Sequence, residues 1–225
     1  YRLMSAITSV FMVLLLTVFL FYTGSEGFAN LQNAKYKVFL IVCGGFVLVS
    51  VICLLEGMLI GAVKVPPIKN IFKTLSVLQK AVILYLIITW VSAIASNHFP
   101  ETLIGVTRYE GALTITIYCL IFLLISAYGK TDKFLLWVLS AATFVFGVIC
   151  VIQLADINIF DLYPVGYSYS DAYTAYAGAY LGTVGNVDLV AAFLCLIIPI
   201  LGVALIKFKG KTRFLLLIPL SVLLY

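Results

Sequence analysis

The apolar positions of this chain do not fall into the stripes of a soluble helix or the alternation of a half-buried strand. They come in blocks of about 20 residues, the length of a bilayer crossing, separated by short polar punctuation. Such blocks predict transmembrane helices at Leu3 to Tyr22, Val38 to Val63, Ala81 to Asn97, Leu113 to Tyr128, Phe134 to Gln153 and Val187 to Ile206. A seventh begins at Phe214 and breaks off at Tyr225. At about 1.5 Å per residue it covers little more than half of a hydrocarbon core. The chain also starts with Tyr1 rather than Met, so residues 1–225 read as one transmembrane helical domain within a longer protein. The expected fold is all-α: a polytopic membrane helix bundle of six full spans and the start of a seventh, with a short interfacial helix on its outer side.

Composition agrees. Hydrophobic residues make up 64% of the chain and charged residues 10%, with a mean hydropathy of +1.19. That leaves too few polar groups to cover a soluble globule of this size, and a lipid-facing surface removes the difficulty.

Charge adds a direction. Basic residues favour cytoplasmic loops because short positive loops are poorly translocated. With the N-terminus inside, the cytoplasmic set is Arg2, Lys64, Lys69, Lys73, Lys80, Lys130, Lys133, Lys207, Lys209, Lys211 and Arg213, which is 11 of the 14 cations. Lys35, Lys37 and Arg108 fall outside. The formal net charge of +5 is then a topology signature and not a nucleic-acid footprint. The first span is too long for a signal-peptide core and lacks a small-x-small cleavage site, so it reads as a retained helix. All five cysteines, Cys43, Cys53, Cys119, Cys150 and Cys195, sit inside expected spans without metal-ligand spacing. No disulfide, metal or cofactor is indicated.

Cytoplasmic connections are brief and basic, except Lys64 to Lys80. There Pro66, Pro67 and four lysines surround Ile71, Phe72, Leu75 and Leu78, the pattern of a short amphipathic helix on anionic lipid. The outer connections are longer and more varied, and three of them carry candidate chemistry.

The first is Thr107-Arg108-Tyr109-Glu110-Gly111, ahead of the fourth span. Its Thr-x-x-Glu spacing is that of a capping box between Thr107 and Glu110. Arg108 is left over, since a cation beside a helix N-terminus opposes the macrodipole. An anion such as phosphate would reconcile the two, held by the guanidinium and by free amides of the same turn. The other explanation is an arginine at the outer interface, or one paired with Glu101 or Asp156.

The second is the long segment from Leu154 to Asn186, where Ser168-x-x-Asp171 resembles a helix start and Tyr169, Tyr173, Tyr176 and Tyr180 recur at helical spacing. The pattern predicts a short helix with one aromatic face. Tyrosine belongs at membrane interfaces, so packing on the bundle explains the stripe as readily as a platform for stacking a glycan.

The third is Gly182-Thr183-Val184-Gly185-Asn186-Val187-Asp188, opening the sixth span, with Asn186 as N-cap and Asp188 in the first turn. The glycine spacing is neither a dinucleotide fingerprint nor a P-loop.

Arg-Tyr-Glu-Gly-Ala-Leu-Thr at Arg108 to Thr114, followed by Gly-Thr-Val-Gly-Asn-Val-Asp-Leu-Val-Ala-Ala-Phe-Leu at Gly182 to Leu194, resembles the bacterial O-antigen ligase and polymerase-like family. Many members read Gly-Asn-Pro-Asn in the second element, from which Val187 and Asp188 depart. The resemblance implies a membrane glycosyltransferase of the bacterial cytoplasmic membrane. Such an enzyme transfers a glycan from a polyprenyl diphosphate carrier to a glycan or lipid acceptor at the outer face. It implies diphosphate or sugar contacts from Arg108, Tyr109, Glu110, Tyr173, Tyr176, Tyr180, Gly185, Asn186 and Asp188, with catalytic residues in a later outer loop beyond Tyr225. His98 matches no motif of that family and reads as interfacial.

Glu56 stands apart as an acid within an apolar block, next to the small-xxx-small pair Gly57 and Gly61. An intramembrane acid is a functional candidate by default. A secondary transporter or channel with Glu56 as coupling residue is therefore the alternative function. Its structural explanation is snorkelling from a position near the cytoplasmic end, beside a helix-packing seam.

Overall fold

A computed structural model describes residues 2–61, 73–130, 132–155, 157–162, 180–208 and 210–224. Among these residues the only regular structure is helical. The helices are α1 (Arg2–Leu14), α2 (Leu31–Phe39), α3 (Gly45–Leu59), α4 (Val77–Ala95), α5 (Phe99–Ile104), α6 (Ala112–Tyr128), α7 (Lys133–Leu154), α8 (Val187–Lys207) and α9 (Leu217–Leu223). A π-helical turn at Leu15–Phe19 extends α1, and another at Leu40–Gly44 joins α2 to α3, so that helix runs unbroken from Gly27 to Leu59.

Among the described residues five helical stretches are long and apolar enough to cross a membrane: Arg2–Phe19, Gly27–Leu59, Val77–Ala95, Lys133–Leu154 and Val187–Lys207. Helix α6 is apolar but shorter, at 17 residues. In α4 only 6% of the crossing window is buried, and Ile41, Leu59, Ile94, Leu196 and Ile206 are likewise exposed. Helices that are apolar all round and exposed have lipid, not a protein core, as their surroundings. The chain is a helical, multi-pass membrane protein.

Several boundaries depart from expectation: α3 ends at Leu59 and not Val63, and the seventh span, expected from Phe214, opens as a 3-10 helix at Lys211–Leu216 ahead of α9. The second span was expected to begin at Val38, with Lys35 and Lys37 in a loop. Both lysines lie on α2, because Leu31 to Phe39 is made mostly of good helix formers and Lys35 finds a partner there. In the stretch Lys64 to Lys80, the proposed amphipathic helix lies largely outside the described residues. At its end, Ser76 caps α4: its Oγ accepts from the Gln79 amide at 3.2 Å while Gln79 Oε1 accepts from the Ser76 amide at 2.9 Å. That reciprocal pair is a capping box.

The chain divides into two compact units. The first comprises residues 1–11 and 39–130. Here α6 packs on α3, α4 and α5. Trp90 Nε1 donates to Thr116 Oγ1 at 2.9 Å and Gln79 Nε2 to Ser126 Oγ at 2.9 Å, tying α4 to α6 at two levels. Phe11 stacks on Phe46 with ring centres 4.1 Å apart. In a bilayer such packing and interhelical hydrogen bonds replace the hydrophobic effect as the glue between helices.

The second unit comprises residues 12–38 and 131–225. Among the described residues its core includes two clusters. Ile197, Leu201 and Ala204 of α8 meet Leu216, Leu220 and Leu223 in one, and Leu20, Ala142, Phe146, Cys150 and Val190 form the other. Asp132 caps α7, accepting from the Leu135 amide at 2.8 Å. All five cysteines are free, with Cys195 exposed on the apolar helix α8.

Candidate functional site

In the first unit, an open cleft of about 480 Å³ lies where α4, α5 and α6 meet. Thr89, Ser92 and Ser96 of α4 line it, with Glu101 and Thr102 of α5 and Glu110 from the loop before α6. Its remaining wall is largely small residues, among them Ala93, Gly111 and Ala112. Among the described residues no lysine or arginine contributes to the lining.

The loop from Gly105 to Gly111 is held tightly. Gly105 has φ +82°, and a Cβ there would stand 2.6 Å from the Glu110 amide nitrogen. Gly111 is buried, and a Cβ on it would meet the Leu103 carbonyl at 2.3 Å. Both positions therefore require glycine. Tyr109 adopts φ +56°, a left-handed conformation that costs a non-glycine residue about 1–2 kcal/mol. It is fixed there in part by Thr114, whose Oγ1 donates to the Tyr109 carbonyl at 2.6 Å. Backbone strain of this kind collects where a loop has to present particular side chains.

This geometry corrects the expected capping box. The residue that caps α6 is Gly111, which offers no side-chain cap, and Thr107 and Glu110 lie ahead of the helix in the loop. The Thr-x-x-Glu signature was placed one turn too early. Glu110 is thereby released from a capping role and lines the cleft, exposed. Arg108 is exposed on the same loop, and among the described residues no carboxylate pairs with it. Its expected partner Glu101 is engaged elsewhere: Glu101 Oε2 lies 3.1 Å from His98 Nδ1, one turn away on α5. Asp156, the other partner considered, lies outside the described residues.

In the second unit the Gly182 to Asp188 turn takes the expected form. Asn186 caps α8, its Oδ1 accepting from the amides of Asp188 at 2.8 Å and Leu189 at 3.2 Å. Asp188 is exposed in the first helical turn, where its charge complements the helix dipole. Gly185 closes the turn, donating to the Leu181 carbonyl at 2.9 Å. Tyr180 is half-buried against the cluster around Phe146. Tyr173 and Tyr176, with the rest of the expected aromatic helix, lie outside the described residues.

Beneath that turn sits a polar node that sequence reasoning missed. Gln153, fully buried, donates through Nε2 to the Gly182 carbonyl at 3.0 Å and accepts from the Gly182 amide at 2.7 Å. Thr183 Oγ1 donates to the Leu20 carbonyl at 2.6 Å. Lys35 Nζ donates to the carbonyls of Phe19 and Leu20, each at 2.7 Å, placing a cation on the C-terminal end of the first span. A lone glutamine ending an apolar block is the signal that could have found it, because buried amides at membrane depth need internal partners.

Glu56 is exposed in the last turn of α3, three residues before the helix ends at Leu59. Among the described residues no group of three metal-ligating side chains converges. No family model, curated protein or solved structure matches the chain.

Proposed function

We propose that the protein is a membrane glycosyltransferase of the ligase or polymerase kind. It takes a glycan from a polyprenyl diphosphate carrier and joins it to a glycan or lipid acceptor at the outer face of a bacterial cytoplasmic membrane. In this reading α6 is a sixth span, the N-terminus is cytoplasmic, and the Gly105 to Gly111 loop faces outward, as the distribution of basic residues supports.

One observation carries the proposal. Arg108 is exposed on a strained, glycine-fixed loop without a carboxylate partner among the described residues, two residues before Glu110, which lines a cleft of hydroxyls and carboxylates. A leaving lipid diphosphate needs a cation where its charge develops. An unpaired guanidinium can bind phosphate through two parallel hydrogen bonds. Glu56, at an exposed helix end, adds no support to ion coupling.

The test compares lipid-linked glycan turnover by membranes carrying wild-type, Arg108→Ala and Arg108→Lys proteins at equal insertion. Loss in Arg108→Ala of about 100-fold, with partial retention in Arg108→Lys, is expected for a diphosphate contact of this type. Unchanged turnover in both variants removes the assigned role.

A further inference from the structure

The cleft that Glu110 lines has a chemistry of its own, and the following rests on the transferase reading. Its lining holds two carboxylates and four hydroxyls and, among the described residues, no lysine or arginine. A site of that charge repels a diphosphate and accommodates a neutral polyhydroxyl group. Such a group takes hydrogen bonds from hydroxyls and carboxylates that offset its desolvation, and it carries no charge for the acids to repel. The existing hydrogen bonds narrow the choice of working group. Thr89 Oγ1 donates to the Tyr85 carbonyl at 2.9 Å, Thr102 Oγ1 to the Phe99 carbonyl at 3.0 Å, and Ser96 Oγ accepts from the His98 amide at 3.1 Å. Glu101 is paired with His98. Glu110 keeps a carboxylate with no such bond among the described residues, on a loop whose backbone is fixed by Gly105, Tyr109 and Gly111.

We infer that this cleft is the acceptor site, that it takes an uncharged sugar, and that Glu110 is the base for its attacking hydroxyl. The acceptor oxygen forms a bond to the anomeric carbon of the donor sugar while the bond from that carbon to the diphosphate oxygen breaks. The electron pair leaves with the lipid diphosphate, and the hydroxyl proton passes to the Glu110 carboxylate. No oxidant, reductant or metal enters the balance. Donor and acceptor are thus separated by charge, with the cation outside the cleft and the acids within it.

The experiment measures glycan transfer and donor binding in parallel for wild type, Glu110→Gln and Glu56→Gln in membranes. Glu110→Gln is expected to lose about 100-fold or more in transfer, the usual share of a positioned base, while binding a polyprenyl diphosphate donor normally. Glu56→Gln, in the last turn of α3 and outside the cleft lining, keeps its rate. Glu110→Asp restores part of the activity together with the acid limb of the pH profile, which a merely structural role would not do. A neutral methyl glycoside competes with the acceptor, and the matching uronate competes far less. Full transfer by Glu110→Gln, or equal competition by the uronate, overturns the inference and leaves the transferase reading standing. A wild-type protein that binds no donor and transfers no glycan overturns both.

Discussion

Gln153 and Gly182, 29 residues apart in the chain, exchange two hydrogen bonds: the Gln153 carboxamide donates to one backbone group of Gly182 and accepts from the other. Both backbone groups of a turn residue are therefore satisfied without water. Such a clamp matters where burial would leave them unpaired, at a penalty of about 1–3 kcal/mol each. Gln153→Leu keeps the volume and removes both partners. It is expected to destabilise the second unit by about 2–6 kcal/mol on that basis, read as a lowered unfolding midpoint in detergent.

Gly182 has φ +55°, and a Cβ there would approach the Phe146 ring to 2.5 Å. Gly182→Ala should cost more than about 1 kcal/mol, because the backbone conformation and the space are both wrong for a side chain. Gly202, within α8 and with open space around it, is the control. Gly202→Ala should be neutral or stabilising by up to about 1 kcal/mol, from helix propensity alone. Equal effects at the two positions would contradict the packing described.

Capping separates two sites with the same sequence signature. Ser76→Ala removes a reciprocal pair and should cost about 1 kcal/mol, with faster hydrogen exchange in the first turn of α4. Thr107→Ala should leave the exchange of α6 unchanged, since that helix is capped by Gly111 and starts at Ala112.

These two sites also show what sequence reading reaches. Thr-x-x-Glu and Ser-x-x-Gln are indistinguishable locally. The outcome turns on Gly105, Tyr109 and Gly111, whose fold-back makes a loop of residues that could have begun a helix. Asn186 was legible because it abuts the apolar run it caps, and its partners are two and three residues away. The spans were legible for the same local reason, as runs of apolar residues. Lys35 was not. Its bonds to Phe19 and Leu20 span 16 and 15 residues and exist only once two helices have folded back on each other. The cleft was equally hidden, since α4, α5 and the loop before α6 contribute to it from separate stretches of chain.

Topology yields a separate test. Single cysteines introduced as Val106→Cys and Lys130→Cys, in a background without the native thiols, flank α6. An impermeant maleimide should label Val106→Cys in intact cells and Lys130→Cys only after permeabilisation, as the inside bias of basic residues requires. The reverse pattern would place the Arg108 loop in the cytoplasm, away from an outer-leaflet donor.

The most direct measurement of the central claim uses the protein reconstituted in liposomes with a labelled polyprenyl diphosphate oligosaccharide and a neutral glycan acceptor. The account predicts that label moves to the acceptor as free polyprenyl diphosphate accumulates in equal amount. Intact donor after prolonged incubation, with solute or ion flux through the same liposomes, would contradict it.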